Sequence, residues 1–575
     1  MENRITPLRR LFRLAALDKK DLGVVYIYAF LSGIIYLSVP LGIQSIINLL
    51  QAGNTNQAWI LMVLIVLAGL LISGLLQVFQ LSLVETLQQR IFVRSSYELS
   101  YRIPKINWDE MGKRYLPEQV NRFFDTMTIQ KGLSKILFDI STAIIQILLG
   151  LLLLAFYHPF FIGFGFALLI ILILIFWFTG AKGLGTSLEE SSHKYNVAFW
   201  LEELARTNGI FKMNPFSTLP ERRTNHLVNQ YLTARKSHFR ILLTQYYNMV
   251  GFKVIVAAGL LVLGGILVFQ QQMTLGQFVA AEIIILLIVG SVEKLILSID
   301  VVYDILTGIE KIGMVTDMEL ERYEGRDLDI SSHPNGLSIS LNEFILKAPQ
   351  GGDRILLDSI SLNVKSGERI GIIGPAGAGK SSLLHSISGF YSEYEGSIIF
   401  NDNQPLGGLR IDSLRDKIGF NFTEDKIFNG TIFENISAGG ENLTTPSCQK
   451  IIDVVGLRDF VNSQPQGLDA QISPMGEKVS GTVRKKIVLA RALSSQPKLL
   501  LFEDHIQSTP AYERTSIYNY LVDKNNTFTV LAITMNKELL KRCDRILVLN
   551  EGKIYDEGTL DELIKKPDIK SFIDA

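Results

Sequence analysis

The sequence predicts a multi-domain protein with an all-α membrane half followed by an α/β half. The 575 residues exceed what a single hydrophobic core usually holds. Hydrophobic residues make up 48% of the chain and the mean hydropathy is +0.25, higher than is usual for a soluble protein of this length. Near residue 315 the long apolar stretches give way to alternating short strands, helices and turns. We expect a transmembrane domain over residues 1–312, a linker over 313–335 and an α/β domain over 336–575.

Six long apolar stretches occupy the first part of the chain. Each is close to or longer than the roughly 20 residues that a helix needs to cross a bilayer. Buried helices of a large soluble protein are the alternative, but six such lengths favour membrane spans. The predicted spans are residues 22–50, 58–83, 133–157, 160–182, 246–269 and 275–299.

The charges between the spans predict their orientation. The three short connections contain no Lys, Arg, Asp or Glu, whereas the two long connections are rich in Lys and Arg. The positive-inside rule therefore places the long connections and both termini in the cytoplasm, as in a multi-pass protein of the cell (inner) membrane. Apolar residues recur at helical spacing in residues 85–100 and 189–204, which predicts that the spans continue as long cytoplasmic helical extensions. Solvated loops are the alternative.

Charge and cysteine content argue against several classes of protein. The 56 basic and 56 acidic residues balance, so no global charge favours a nucleic-acid partner. The two cysteines, Cys448 and Cys543, form no disulfide framework or metal-binding pattern and fit a reducing compartment. Basic residues near the N-terminus are not followed by a short apolar core and a cleavage site, so we expect no removable signal peptide.

Glu282 lies within the sixth predicted span, as do the adjacent Glu293 and Lys294. A carboxylate inside a bilayer is costly and usually faces a cavity or a partner, which makes Glu282 a candidate functional residue. A position close to the lipid headgroups is the alternative.

A glycine-rich loop is the strongest single motif. It follows an apolar strand at residues 369–373 and opens a helical pattern at residues 382–387, the context of a phosphate-binding loop. Glycines let backbone N–H groups surround phosphates, and the helix N-terminus adds its positive end. Lys380 is expected to reach the β- and γ-phosphates, and the Ser381 hydroxyl to ligate Mg²⁺. The predicted nucleotide-binding residues are Gly374, Pro375, Ala376, Gly377, Ala378, Gly379, Lys380, Ser381 and Ser382.

Residues 337–563 resemble the nucleotide-binding domain of ABC transporters. The resemblance is carried by the phosphate loop and by residues 356–362, 430–436, 489–493, 497–502, 544–549 and 552–554. The six spans have the layout of this family's exporters, and residues 273–277 resemble the entry to their sixth helix. The membrane half is most similar to the haemolysin-type protein secretion exporters without their N-terminal peptidase-like domain. The resemblance implies a six-helix transmembrane domain, an α/β P-loop (RecA-like) domain with a helical subdomain, and ATP and Mg²⁺ as cofactors.

Two motifs of the family are altered at residues that approach the nucleotide. The signature Leu-Ser-Gly-Gly-Gln is replaced by residues 479–483, in which Val479, Ser480 and Gly481 keep the first part. Thr482 adds a β-branched side chain where the second glycine allows close approach, and Val483 lacks the terminal amide.

The Asp-Glu pair that ends the Walker B strand is inverted to Glu503-Asp504. The resemblance implies that Glu503 keeps a carboxylate for the magnesium shell and that Asp504 occupies the general-base position with a shorter side chain. Because phosphoryl transfer depends on positioning, a shift of about 1 Å can cost on the order of a hundredfold in rate.

Further positions of the family are also altered. Thr423 stands where a glutamine usually links magnesium to the membrane half. Met535 stands at the switch histidine, and a thioether donates no hydrogen bond to a phosphate. The acidic turn after Walker B becomes residues 507–510, Gln-Ser-Thr-Pro, and Ala348 is the nearest equivalent of the aromatic residue that stacks on adenine.

ABC domains work as head-to-tail pairs, so the altered residues affect both sites of a homodimer. We therefore expect an exporter half that binds ATP, is impaired in hydrolysis and serves as the regulatory half of a heterodimer with a second ABC subunit; a homodimer is possible. The alternative is a non-transporting nucleotide-binding scaffold or regulator. A soluble P-loop enzyme on an anchor is disfavoured because six spans exceed what anchoring needs. The expected partners include the lipid bilayer and no nucleic acid, and the transported substrate is not readable.

Overall fold

The computed structural model describes residues 6–52, 57–113, 115–349, 354–422, 426–440 and 443–574. The chain divides into two compact units. The first comprises Met1–Pro104 and Leu116–Met318, and the second comprises Lys105–Tyr115 and Glu319–Ala575.

Helices build the first unit. Six segments are long and apolar enough to cross a membrane, which confirms the six predicted helices. The helices up to residue 316 are α1 (Pro7–Leu17), α2 (Lys19–Tyr36), α3 (Ser38–Gln51), α4 (Ala58–Arg102), α5 (Trp108–Lys113, in the second unit), α6 (Leu116–Val120), α7 (Asp125–Lys135), α8 (Ser141–Tyr157), α9 (Phe160–Arg206), α10 (Asn208–Met213), α11 (Leu219–Phe269), α12 (Leu275–Leu297) and α13 (Ile299–Thr316), with a π-helical turn at Ile136–Ile140 between α7 and α8.

Three helices are much longer than a bilayer is thick. α4, α9 and α11 contain 45, 47 and 51 residues, which correspond to about 70–75 Å at 1.5 Å per residue against a hydrocarbon core of about 30 Å. Their apolar parts expose large side chains such as Leu71, Trp177 and Phe269, as a surface that faces lipid requires. The remainder of each helix forms a long polar extension.

The first predicted span is interrupted where α2 meets α3. Pro40 occupies the first turn of α3, and its ring nitrogen cannot donate the hydrogen bond that a continuous helix would make to Tyr36. Just before α3 the chain forms a tighter turn with an i to i−3 hydrogen bond, in which the Leu37 N–H donates to the Ile34 carbonyl at 3.1 Å.

Two sheets organise the second unit. A six-stranded sheet has the order β12-β11-β3-β10-β9-β6, parallel except for β12, and a four-stranded antiparallel sheet has the order β2-β1-β4-β5. A third pair is β7-β8. The strands are β1 (Ile339–Lys347), β2 (Ile355–Val364), β3 (Arg369–Ile373), β4 (Glu395–Phe400), β5 (Gln404–Pro405), β6 (Ile418–Asn421), β7 (Gly430–Thr431), β8 (Gln471–Ile472), β9 (Leu499–Glu503), β10 (Thr529–Ile533), β11 (Arg545–Asn550) and β12 (Lys553–Gly558).

Helices cover the parallel sheet and pack into two large apolar cores, one on each side of β9 and β10. This α/β unit after a six-helix unit confirms the predicted fold class. The helices are α14 (Lys380–Ile387), α15 (Ile411–Arg415), α16 (Ile432–Ser437), α17 (Thr445–Val454), α18 (Arg458–Ser463), α19 (Gly481–Ser494), α20 (Ala511–Val522), α21 (Lys537–Leu540), α22 (Leu560–Leu563) and α23 (Pro567–Asp574).

The short helix α5 is the part of the second unit that comes from between two membrane spans. Its Trp108 ring lies 4.6 Å from the Phe390 ring and 5.9 Å from the His385 ring, measured between centroids. Asp109 accepts hydrogen bonds from the backbone and the hydroxyl of Ser392 at 3.1 and 2.7 Å. Since His385 belongs to α14, the helix that follows the glycine-rich loop, α5 packs against that helix.

Candidate nucleotide-binding site

Three groups of predicted site residues, from the loop, the acidic pair and the switch position, lie at one edge of the parallel sheet. Carboxyl ends of parallel strands lie at the same edge, and here β10 lies between β3 and β9. The glycine-rich loop follows β3, the acidic pair ends β9, and Thr534 with Met535 follows β10. The topology therefore brings together residues that are 30 to more than 150 positions apart in sequence.

Glycine is required at two points of the loop. Gly374 has φ 144°, and a Cβ there would lie 2.0 Å from the Leu549 carbonyl oxygen. Gly379 has φ 93°, and a Cβ there would lie 2.8 Å from the Leu356 carbonyl oxygen. Other residues would be strained in this backbone and would clash with fixed main-chain atoms. The loop thus holds the curved shape in which backbone N–H groups converge.

Lys380 is folded over the loop. Its Nζ donates hydrogen bonds to the carbonyl oxygens of Gly374 at 2.8 Å and Pro375 at 2.7 Å. Burial lowers the pKa of the ammonium below its ordinary value, and the Glu503 carboxylate acts in the opposite direction. The loop opens on a cavity of about 460 Å³ whose other walls include Arg354, Ile355, Glu551 and Gly552.

The donors that the sequence assigned to magnesium are oxygen atoms. Glu503 is 3% exposed at the end of β9, and Ser381 is exposed at the start of α14. A carboxylate and a hydroxyl are hard ligands of the kind that Mg²⁺ prefers, together with phosphate oxygens and water. The residues present therefore fit a magnesium ion shared with a nucleotide.

Asp504, the residue predicted at the general-base position, is turned into the protein. It is 7% exposed, and its Oδ2 accepts hydrogen bonds from the Tyr518 hydroxyl at 2.7 Å and the Thr534 hydroxyl at 2.6 Å. Burial and the neighbouring carboxylate raise the pKa of the Tyr518 phenol well above its ordinary value, so the phenol remains a donor. Its Oδ1 is also buried and accepts no hydrogen bond from the residues that the structure describes.

His505, which was not predicted as a site residue, lies beside Glu503. Its Nε2 lies 3.2 Å from the Glu503 Oε2, and its side chain is 27% exposed. The acidic pair therefore separates, with Glu503 beside His505 and Asp504 beside Tyr518 and Thr534. The available signal was a histidine directly after the Walker B acids.

Met535, at the predicted switch position, is half-buried. Its side chain packs against the apolar cluster built by Ile373, Leu540, Ile546, Val548, Leu560, Leu563 and Ile569. A thioether in such a cluster contributes packing and donates no hydrogen bond.

The signature residues begin α19. The Ser480 hydroxyl accepts a hydrogen bond from the Val483 N–H at 3.3 Å and so caps the helix. Val479 and Val483 pack against the neighbouring apolar core. The Thr482 hydroxyl donates to the Ser508 hydroxyl at 3.4 Å, within the turn that replaces the acidic one.

Two further predicted positions lie in or beside gaps in the described chain. Thr423, predicted at the degenerate glutamine position, lies outside the described residues. Ala348, predicted as the nearest equivalent of the adenine-stacking residue, directly follows β1, and its N–H donates to the Arg354 carbonyl at 2.9 Å. A methyl group offers no aromatic face at this point, and Arg354 borders the loop cavity.

The candidate in the membrane unit, Glu282, is half-buried on α12, and no ion pair joins it to another described residue. Eleven residues further along α12, Glu293 forms an ion pair with Lys253 of α11, with Nζ and Oε2 2.6 Å apart. Lys253 lies inside the fifth predicted span and was not recognised from the sequence. Charges in a membrane span are usually paired in this way.

Two models of known families match parts of this chain. Residues 22–204 match the model of the ABC transporter transmembrane region, and residues 357–506 match the ABC transporter model. Together the two ranges cover more than half of the chain. The chain belongs to the ABC transporter family. The second match contains the phosphate loop, the signature segment and the Walker B acids of this ABC transporter.

Two relatives and one solved structure define the similarity further. The mitochondrial iron-sulfur clusters transporter ATM1 of Debaryomyces hansenii is 32% identical over 219 residues, which cover 37% of this chain and 31% of that protein. The alpha-hemolysin translocation ATP-binding protein HlyB of Escherichia coli is 28% identical over 307 residues, covering 53% and 43%. The match thus spans less than half the length of each relative. A bacterial Atm1-family ABC exporter with ATP bound superposes with a TM-score of 0.82 at 20% identity over 96% of both chains, which establishes the exporter fold of this multi-pass membrane protein.

Proposed function

We propose that this chain is the ATP-binding, regulatory half of an ABC exporter and is itself impaired in hydrolysis. The observation that carries the proposal is the buried Asp504 carboxylate, one oxygen of which already accepts the hydroxyls of Tyr518 and Thr534. A general base must reach a water molecule beside the γ-phosphate, and a carboxylate held by two protein hydroxyls is poorly placed to do so. Met535 adds no donor that would compensate.

ATP binding follows from the parts of the site that are intact. The loop from Gly374 to Ser382 supplies backbone N–H groups, the Lys380 ammonium and the positive end of α14. Ser381 and Glu503 would hold magnesium, which when bound neutralises charge on the phosphates. The chain's own residues would bind and orient the nucleotide, and transfer of the phosphoryl group would be slow.

A heterodimer reconciles intact binding with impaired hydrolysis. In a head-to-tail pair, each nucleotide lies between one subunit's phosphate loop and the other subunit's signature. Two copies of this chain would give two sites without a well-placed base. A partner with complete motifs would supply its own base at one site, and residues 479–481 of this chain would close that site. Nucleotide bound at the other site would stabilise the dimer without being turned over quickly.

The proposal places the chain in the cell (inner) membrane with both termini in the cytoplasm, because the basic residues concentrate in the two long connections. The proposal does not assign the transported substrate. One relative is named for iron-sulfur clusters and another for alpha-hemolysin, so similarity alone selects neither class of substrate.

ATP hydrolysis by the purified full-length chain tests the proposal. We expect slow phosphate release by the wild-type chain despite measurable MgATP binding. The double variant D504E/M535H restores the length of the base and the switch imidazole, and we expect it to release phosphate at least about tenfold faster. Met535→His alone is the matched control and should change little.

Two outcomes would argue against this function. Hydrolysis by the wild-type chain alone at the rate of an intact exporter would refute the regulatory role. Co-purification without any ABC subunit that has complete motifs, with no transport by reconstituted chain, would favour the nucleotide-binding scaffold. Failure of D504E/M535H to gain activity would instead point to the signature or to the missing adenine platform as the limiting element.

A further inference from the structure

We propose that the imidazole of His505 senses the γ-phosphate in this site and takes the place of the switch histidine that is replaced by Met535. The inference rests on the proposed function, since it requires that MgATP binds at the phosphate loop. It assigns a nucleotide-contacting role to a residue for which the family pattern predicts none.

The position of His505 supports this role. His505 directly follows Asp504 after β9. This is the edge of the sheet at which β3 ends and the phosphate loop begins. Its Nε2 lies 3.2 Å from Oε2 of Glu503, the last residue of β9. The ring therefore lies beside the carboxylate that we propose as a magnesium ligand, at the sheet edge that carries the phosphate loop.

The Asp504 side chain points away from Glu503, so the imidazole of His505 lies beside Glu503 without competition from Asp504. Because the Asp504 carboxylate is turned towards Tyr518 and Thr534, it does not compete for the place beside Glu503. The His505 side chain keeps 27% of its surface exposed, whereas Glu503 is 3% exposed. Part of the imidazole is therefore accessible from outside the protein.

An exchange of hydrogen-bond partners would give the sensing step. In the nucleotide-free chain, the His505 Nε2–H donates to Glu503, as the 3.2 Å distance indicates. With MgATP bound, Glu503 would serve as a magnesium ligand, and the His505 Nε2–H would become available for an oxygen of the γ-phosphate. ADP has no oxygen at that position, so the same N–H would stay with Glu503. His505 would then distinguish the two nucleotides.

A purely structural role for His505 is the competing explanation. In that case the imidazole only holds Glu503 in its rotamer, and its loss would affect ATP and ADP alike. The ratio of the two affinities separates these explanations, because a structural defect has no reason to depend on the third phosphate.

The experiment measures the Kd of the full-length chain for MgATP and MgADP by displacement of a fluorescent nucleotide, in lipid nanodiscs. We expect H505A to weaken ATP binding about tenfold, as the loss of a charge-assisted hydrogen bond predicts, with ADP binding unchanged. H505Q keeps an N–H donor and should retain most of the preference. M535A is the matched control at the family's switch position, and we expect both of its affinities to remain within about twofold of wild type.

Other results of this experiment would contradict either the sensing role of His505 or the proposed function. Equal weakening of ATP and ADP by H505A, or no weakening, would overturn the sensing role. A preference lost in M535A and kept in H505A would return the role to the family's usual position. If the wild-type chain bound neither nucleotide, the proposed function itself would fail. Melting of each variant without nucleotide verifies that the fold is retained.

Discussion

The Tyr518 hydroxyl donates a hydrogen bond of 2.7 Å to the carboxylate of Asp504, and both side chains are buried. The Asp504 carboxylate thus acts as an acceptor that ties the end of β9 to α20. Thr534, which follows β10, donates to the same oxygen. This carboxylate oxygen therefore joins three elements of the α/β unit.

Removal of the Tyr518 hydroxyl should therefore destabilise the α/β unit. We expect Tyr518→Phe to lower its free energy of unfolding by about 1–3 kcal/mol, since a buried carboxylate loses a donor. Thermal melting of the full chain measures the effect. The matched control is Tyr555→Phe at an exposed tyrosine, for which we expect a change within about 0.5 kcal/mol. Equal effects of the two variants would contradict the structural role of this bond.

Lys380 should decide whether the chain binds nucleotide. Lys380→Ala removes the ammonium that the loop carbonyls of Gly374 and Pro375 hold in place. We expect ATP affinity to fall by at least about tenfold, because a charge-assisted bond to phosphate is lost, while the melting temperature without nucleotide changes little. Equilibrium binding of a fluorescent ATP analogue provides the measurement.

The matched control for this experiment is Lys365→Ala, at an exposed lysine between β2 and β3. It removes the same charge from the same unit and should bind ATP as the wild-type chain does. Similar losses in both variants would attribute the effect to net charge and not to the phosphate loop.

Trp108 should hold α5 on the α/β unit. Its ring packs on Phe390 and His385, so Trp108→Ala removes aromatic contacts worth about 1–3 kcal/mol. We expect amide hydrogen exchange in residues 105–111 to become about tenfold faster or more. Tyr97→Ala, at a tyrosine with 76% exposure, serves as the control and should leave that segment protected. Unchanged exchange in Trp108→Ala would show that other contacts dominate.

The ion pair of Lys253 and Glu293 should behave as a coupled unit. Either Lys253→Met or Glu293→Gln leaves one charge unpaired between membrane helices, and we expect each to destabilise the membrane unit by about 1–3 kcal/mol. The double variant should be more stable than either single one, because no unpaired charge remains. Thermal melting of the wild-type chain, the two single variants and the double variant in nanodiscs measures the coupling between the two side chains. Strictly additive losses would indicate that the two side chains do not interact.

Much of the fold was predictable because it follows from local patterns. Apolar length alone identifies a membrane helix, so the six spans were recognised before any tertiary contact was known. The break at Leu37 within the first span was missed, although Pro40 provides the signal, because hydropathy averages over it. The glycine-rich loop was predictable for a similar reason, since its strand, loop and helix are contiguous.

The arrangement of the site was only partly predictable. The resemblance to the family assigned Asp504 to the general-base position and Met535 to the switch position, and both assignments stay predictions. It could not indicate the direction of the Asp504 side chain. That direction depends on Tyr518 and Thr534, which lie 14 and 30 residues further along the chain.

The sequence by itself determined the six apolar helices and predicted the phosphate loop, because each depends on residues that are adjacent in the chain. Tertiary structure decided the separation of Glu503 from Asp504, the approach of His505 to Glu503 and the pairing of Lys253 with Glu293. The physical reason is that a side chain at the end of a strand or on a helix face turns towards the donors and charges nearest in space. Those neighbours are supplied by packing between elements, which no local pattern specifies.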